Sequence, residues 1–134
     1  MQRKNINSYR NSITQEHSMG CGLACVAYIL KKSYDEIFRT INEPSKAWLN
    51  GFSCDELISI LGPDYHWVRG ESWSTPSQII FFSSIHSPAG HYLAKADDEW
   101  MDPWINFPSI TPAKSGFRTE VSGLIEYSIY KKIN

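Results

Sequence analysis

Cys21 stands in Gln15-Glu16-His17-Ser18-Met19-Gly20-Cys21-Gly22-Leu23-Ala24-Cys25, directly ahead of an apolar run with the character of a buried helix. A thiol in the first turn of a helix faces backbone N–H groups that lack carbonyl partners and the positive end of the helix dipole, and both favour thiolate over thiol. These features suit a nucleophile. Gln15, six positions earlier, is close enough in sequence for its amide to fold back beside the sulfur and share a developing oxyanion with the Cys21 N–H. A thiol nucleophile also needs a base. His91, in Gly90-His91-Tyr92, is preferred over His17, His66 and His86. His17 belongs to the loop before the helix, where solvent or substrate contact is the simpler reading. His66, between Tyr65 and Trp67, reads as a core histidine, and His86 is the nearest rival because it ends an apolar strand.

His91 to Ala96 reads as a strand, Asp97-Asp98 as a two-residue turn and Glu99 to Asp102 as the returning strand, stopped by Pro103. Counting outward from that turn sets Ala96 opposite Glu99, Lys95 opposite Trp100, Leu93 opposite Asp102 and His91 opposite Trp104. His91 and Asp102 then share a sheet face as diagonal neighbours, their Cα atoms roughly 7–8 Å apart. A register slip of one residue sends Asp102 to the other face, so this pairing is a sharp geometric expectation. In it Asp102 fixes the imidazole tautomer and His91 carries the proton, while Trp104 either shields the pair from water or, as is more usual for a tryptophan on a sheet face, is simply core.

These residues resemble the bacteriocin-processing cysteine peptidases that cut after double-glycine leaders, a papain-like family often fused to export transporters. The resemblance runs from Gln15 through Cys21-Gly22-Leu23-Ala24-Cys25 and Gly90-His91-Tyr92 to Asp102-Pro103, so it covers most of the chain. It implies Cys21 as nucleophile, His91 as general base and acid, Asp102 as the group that orients His91, and Gln15 as oxyanion donor. It also implies a peptide or protein substrate cut after small or glycine residues of a leader, with an unlinked transporter or secretion system as a compatible partner. Gly20 stands where that family usually carries an aspartate, and the interval from His91 to Asp102 is shorter than the family's. The same residues also suit a papain-like deamidase or acyl-transfer enzyme, or a non-catalytic module that binds peptides.

A chain of 134 residues is one domain's worth, so a single unit over 1–134 is expected, with 1–12 as a flexible lead-in. The formal net charge of −1 gives no electrostatic case for nucleic acid. The longest apolar run, Leu23 to Leu30, is far short of the ~20 residues that span a bilayer, and the first five residues lack the apolar core of a signal peptide. The chain therefore reads as cytoplasmic where synthesised, with delivery by a signal-less route left open. Cys21, Cys25 and Cys54 are too few and unevenly spaced for a disulfide framework or a zinc site, so no metal or other cofactor is expected. Cys25, one turn beyond Cys21 on the same helix face, reads as a small core residue.

The element order predicts an α+β fold, papain-like, with N-terminal helices packed against a C-terminal antiparallel sheet. Helices are expected over Gly22 to Lys32 and Tyr34 to Ile41, and in a segment that Ser53 and Glu56 open as a capping box and Gly62-Pro63 closes. Leu57, Ile58, Ile60 and Leu61 form its core stripe. Strands are expected at Tyr65 to Arg69, Gln78 to Ile85, His91 to Ala96, Glu99 to Asp102 and Leu124 to Lys131. The second reads as central and the last as an edge, while Lys114 to Glu120 reads as a mobile loop.

Overall fold

The computed structural model describes residues 11–72, 75–84, 90–107, 112–121 and 123–132. Three α-helices come first, α1 (Cys21–Leu30), α2 (Tyr34–Phe38) and α3 (Cys54–Leu61), with a 3₁₀ turn at Pro44–Ala47 between the last two. Six strands follow: β1 (Tyr65–Arg69), β2 (Ser77–Ser83), β3 (His91–Ala96), β4 (Glu99–Asp102), β5 (Gly116–Arg118) and β6 (Leu124–Lys131). They form one antiparallel sheet in the order β1-β6-β2-β3-β4-β5. The fold is α+β. None of the described helices is long and apolar enough to cross a membrane.

α1 is buried from Gly22 to Tyr28 and ends earlier than expected, because Lys31 turns left-handed at φ +60° and sends its N–H back to the Ala27 and Tyr28 carbonyls. α2 also stops short, at Phe38: Thr40 and Ile41 donate to the carbonyls of Ile37 and Phe38, three residues back, so the α ladder closes as a tight turn. The Ser53–Glu56 capping box forms as expected, and a second one, Ser33 with Glu36, opens α2. Of the stripe on α3, Leu57 and Leu61 are buried, while Ile58 and Ile60 are half-buried.

The expected β6 edge is corrected by the topology. β6 lies between β1 and β2, and its Ile129 is buried while Leu124 at its start is exposed. Lys114 to Glu120 is likewise not a loop throughout, since Gly116–Arg118 pairs with β4 and places Phe117 against the Tyr28 ring. β2 is central as expected, and the Ile85 and His86 end of that expected strand lies outside the described residues. In the 1–12 lead-in, residues 1–10 are outside the described residues as well, but Ser12 is docked, its Oγ 2.7 Å from that of Ser115.

One face of the sheet packs on α1 and α3 around Leu23, Val26, Leu57, Ile79, Ala94 and Met101. The other carries a smaller cluster of Ile80, Phe82 and Leu93. The β3–β4 register is Ala96 to Glu99, Lys95 to Trp100 and Ala94 to Met101, as counted from the turn, and Asp97 takes the positive φ of +56° that tight hairpins favour.

Candidate active site

His91 is the first residue of β3 and pairs with Phe82 of β2, whose ring meets the imidazole edge-on at 6.1 Å. Its Nε2 lies 2.6 Å from Oδ1 of Asp102, the last residue of β4. Because His91 opens its strand, the ring reaches beyond the end of the sheet toward the N-terminus of α1, where Cys21 is close enough to raise its pKa. With Nε2 committed to Asp102, the nitrogen on the cysteine side is Nδ1. The hairpin count and the packing of α1 on β3 thus bring Cys21, His91 and Asp102 together.

Burial works against charge on His91, but the hydrogen bond it makes to Asp102, the interaction with Cys21 and the negative charges of both overcome it, raising the imidazole to about 10. Asp102 is 1% exposed. Burial pushes its carboxyl upward, and the His91 bond and charge, with the Trp104 N–H and Arg118, more than reverse this and hold it below the usual carboxylate range. Oδ1 accepts from His91 and from the Trp104 N–H at 2.9 Å, while Oδ2 accepts from Arg118 Nη1 at 3.1 Å.

Trp104 is not the strand residue facing His91 that the extended register implied. β4 ends at Asp102, residues 103–107 form turns, and the Trp104 ring packs edge-on against Phe107 at 5.0 Å. Its contribution to the pair is the backbone N–H.

Arg118 is the member that sequence reasoning missed. It sits on β5 opposite Trp100, over the Phe82 ring at 5.8 Å, and its Nε is tied to the Glu120 carbonyl at 2.7 Å. Its only sequence signal was a basic residue in a segment read as a loop. Replacing it by Met keeps the stem over Phe82 and removes one charged donor from Asp102. That change should cost about 1.5–3 kcal/mol in urea unfolding at pH 7, the range for hydrogen bonds to charged groups. A cost within the noise of a surface substitution would mean that the Arg118–Asp102 contact has no energetic weight.

Gln15 is buried but does not present its amide to the sulfur as expected. Both Nε2 hydrogens are taken by the carbonyls of His17 at 2.9 Å and Ser18 at 3.1 Å, because this loop must turn sharply to deliver Gly20 to the helix start. Reversing the amide would set Oε1 against two carbonyl oxygens. In this arrangement Gln15 clamps the loop that leads into α1, and its own N–H ties that loop to the Pro103 carbonyl at 3.4 Å, beside Asp102.

His17 is not exposed but built into the same loop. Its Nδ1 is 3.0 Å from the Tyr34 hydroxyl and its ring stacks on Phe38 at 4.7 Å. The Tyr34 hydroxyl also explains Gly20, where any Cβ would fall 2.1 Å from that oxygen. His66 packs on Tyr130 at the far strand β1. Cys25 is fully buried, and burial first, then the charges of Cys21 and Asp102, push its thiol well up. The Cys54 thiol is pushed up by burial too, against the Tyr92 hydroxyl 3.8 Å away. Among the described residues no group of three His, Cys, Asp or Glu side chains is placed to hold a metal ion.

A pocket of about 290 Å³ opens beside Cys21. Met19, Phe52, Gly90 and Tyr92 line it with Cys21, and the Tyr92 hydroxyl holds the wall by donating to the Phe52 carbonyl at 2.8 Å. No protein-family model matches the chain, and neither a search of curated proteins nor one of solved structures finds a match. The functional reading therefore rests on the chain's own geometry.

Proposed function

We propose that the chain is a thiol-dependent amide hydrolase, with Cys21 as nucleophile, His91 as proton carrier and Asp102 as the group that orients it. The particular activity we propose is cleavage of a peptide bond, in the manner of the papain-like bacteriocin-processing peptidases that the sequence resembles. One observation carries the reading: a buried imidazole with a carboxylate at 2.6 Å on one side and, on the other, a helix-terminal thiol close enough to raise it.

The chemistry follows from that arrangement. The Cys21 sulfur, its proton held on His91, attacks the substrate carbonyl carbon, and the oxyanion forms against first-turn N–H groups of α1. His91 then gives its proton to the leaving amine as the C–N bond breaks, leaving a thioester on Cys21. Water attacks the thioester with His91 as base, the C–S bond breaks, and a carboxylic acid leaves. Asp102 stays ionised throughout, holding the ring and its charge.

The test is iodoacetamide labelling followed by peptide mass spectrometry from pH 5 to 9. Cys21 should be labelled at pH 6 while buried Cys25 and Cys54 are spared, and His91→Ala should slow the Cys21 rate itself at least about tenfold. Labelling of Cys21 that ignores His91 would reject the pair and favour the reading as a peptide-binding module.

A further inference from the structure

The pocket beside Cys21 has a directional wall. At the Cys21 end lies Gly90, where an added Cβ would meet the Phe81 ring at 2.0 Å. The Phe81 ring meets Tyr92 at 4.6 Å and Tyr127 at 6.0 Å, and Tyr127 meets Trp67 edge-on at 5.6 Å. Trp67 then donates its indole N–H to Oδ1 of Asp55 at 2.8 Å. These rings come from β2, β3, β6 and β1, so only the folded sheet assembles them. The path runs from Cys21 over apolar and aromatic surface to one exposed carboxylate, the sole charged residue among the described residues that line the pocket.

We infer that this pocket receives a long cationic side chain, arginine or lysine, of a substrate residue beside the bond presented to Cys21. The inference deepens the peptidase reading and rests on it for the identity of the reacting bond. The chemistry of the pocket matches that side chain along its length. The aliphatic stem lies against Phe81 and Tyr92, the cationic head meets the faces of Tyr127 and Trp67, and Asp55 supplies the opposite charge. Its volume is at the small end of the ~300–1,000 Å³ typical of ligand sites, which suits one side chain better than a folded partner. A purely apolar side chain would fill the inner part and leave Asp55 unmatched.

The experiment titrates isotopically labelled protein with acetyl-Ala-Arg-Gly-amide and with its citrulline and leucine counterparts, following the Trp67 indole N–H resonance. Citrulline keeps the shape of arginine and removes the charge. The arginine peptide should bind about five- to tenfold more tightly than either counterpart, consistent with one partly exposed charge pair plus a cation–π contact. Asp55→Asn, which retains an acceptor for Trp67, should reduce that ratio to about one. Equal binding of all three peptides, tighter binding of leucine, no shift with any of them, or a ratio that survives Asp55→Asn would each overturn the inference. Because the resonance reports binding without any reaction at sulfur, an arginine preference in a protein whose Cys21 labelling ignores His91 would reject the peptidase reading and leave the pocket assignment standing.

Discussion

Asp102→Asn should lower the rate of any Cys21-dependent cleavage by about 10³–10⁴-fold, the scale seen when the orienting carboxylate of a nucleophile–histidine pair becomes an amide. Every partner of Asp102 is a donor: His91 Nε2 and the Trp104 N–H on Oδ1, and Arg118 on Oδ2. An asparagine can accept on one side only and must point its own N–H₂ at a donor on the other. The ring loses both its fixed orientation and the charge that keeps it protonated. Asp102→Ala removes the acceptor altogether, leaving His91 and Arg118 without their buried counter-charge, and should cost about 3–5 kcal/mol of stability.

The pH dependence of that cost has a defined sign. The imidazole is raised from 6.5 to about 10 in the folded chain, so its contribution is complete below about 6.5 and fades as pH climbs through about 10. Asp102 is lowered from 3.8, so its contribution is complete above that value and fades as pH falls through the depressed folded one. The unmodified protein should therefore gain most over Asp102→Ala between about pH 4 and 6.5, and the gap should narrow as pH climbs through about 10 to what the Arg118 and Trp104 contacts leave. Chemical denaturation at a series of pH values measures this directly. A constant difference across the range would mean that the pair is not the source of the loss.

Gly90→Ala is the second large effect. Gly90 has φ +91°, a region that side-chain-bearing residues rarely adopt, and its Cβ would lie 2.0 Å from the Phe81 Cζ. The strained backbone costs about 1–3 kcal/mol and the overpacking a further 1–3 kcal/mol. Since the residue precedes His91 and lines the pocket, any relief moves either His91 or the wall. A variant that stays folded should label Cys21 more slowly at pH 6 and lose peptide affinity together. Wild-type stability and labelling in Gly90→Ala would show that the turn is more plastic than its geometry implies.

The His91–Asp102 hairpin was legible because both its determinants are local. A two-residue Asp97-Asp98 turn fixes the register, and side-chain alternation with a period of two then fixes which residues share a face. The Ser53–Glu56 capping box was legible for the same reason, since its donors and acceptors lie within one turn of helix. Bounds failed where the deciding bond was not a matter of residue type, as at Thr40, where α2 tightens, and at Lys31, where the chain turns left-handed.

What the sequence by itself determined about this protein is therefore the α+β order, the buried helix that Cys21 opens and the His91–Asp102 diagonal. Only the tertiary structure decided the rest. Arg118 reaches Asp102 because β5 returns to the edge of β4, a pairing between segments that no local periodicity announces. Gln15 turned out to clamp its loop, because the carbonyls of His17 and Ser18 compete for the same amide hydrogens that an oxyanion would need. The aromatic wall ending at Asp55 likewise exists only once β6 inserts between β1 and β2, setting Tyr127 between Trp67 and Phe81. Short-range hydrogen bonds and alternation are written in neighbouring residues, whereas the meeting of distant strands depends on how the whole apolar surface is buried at once.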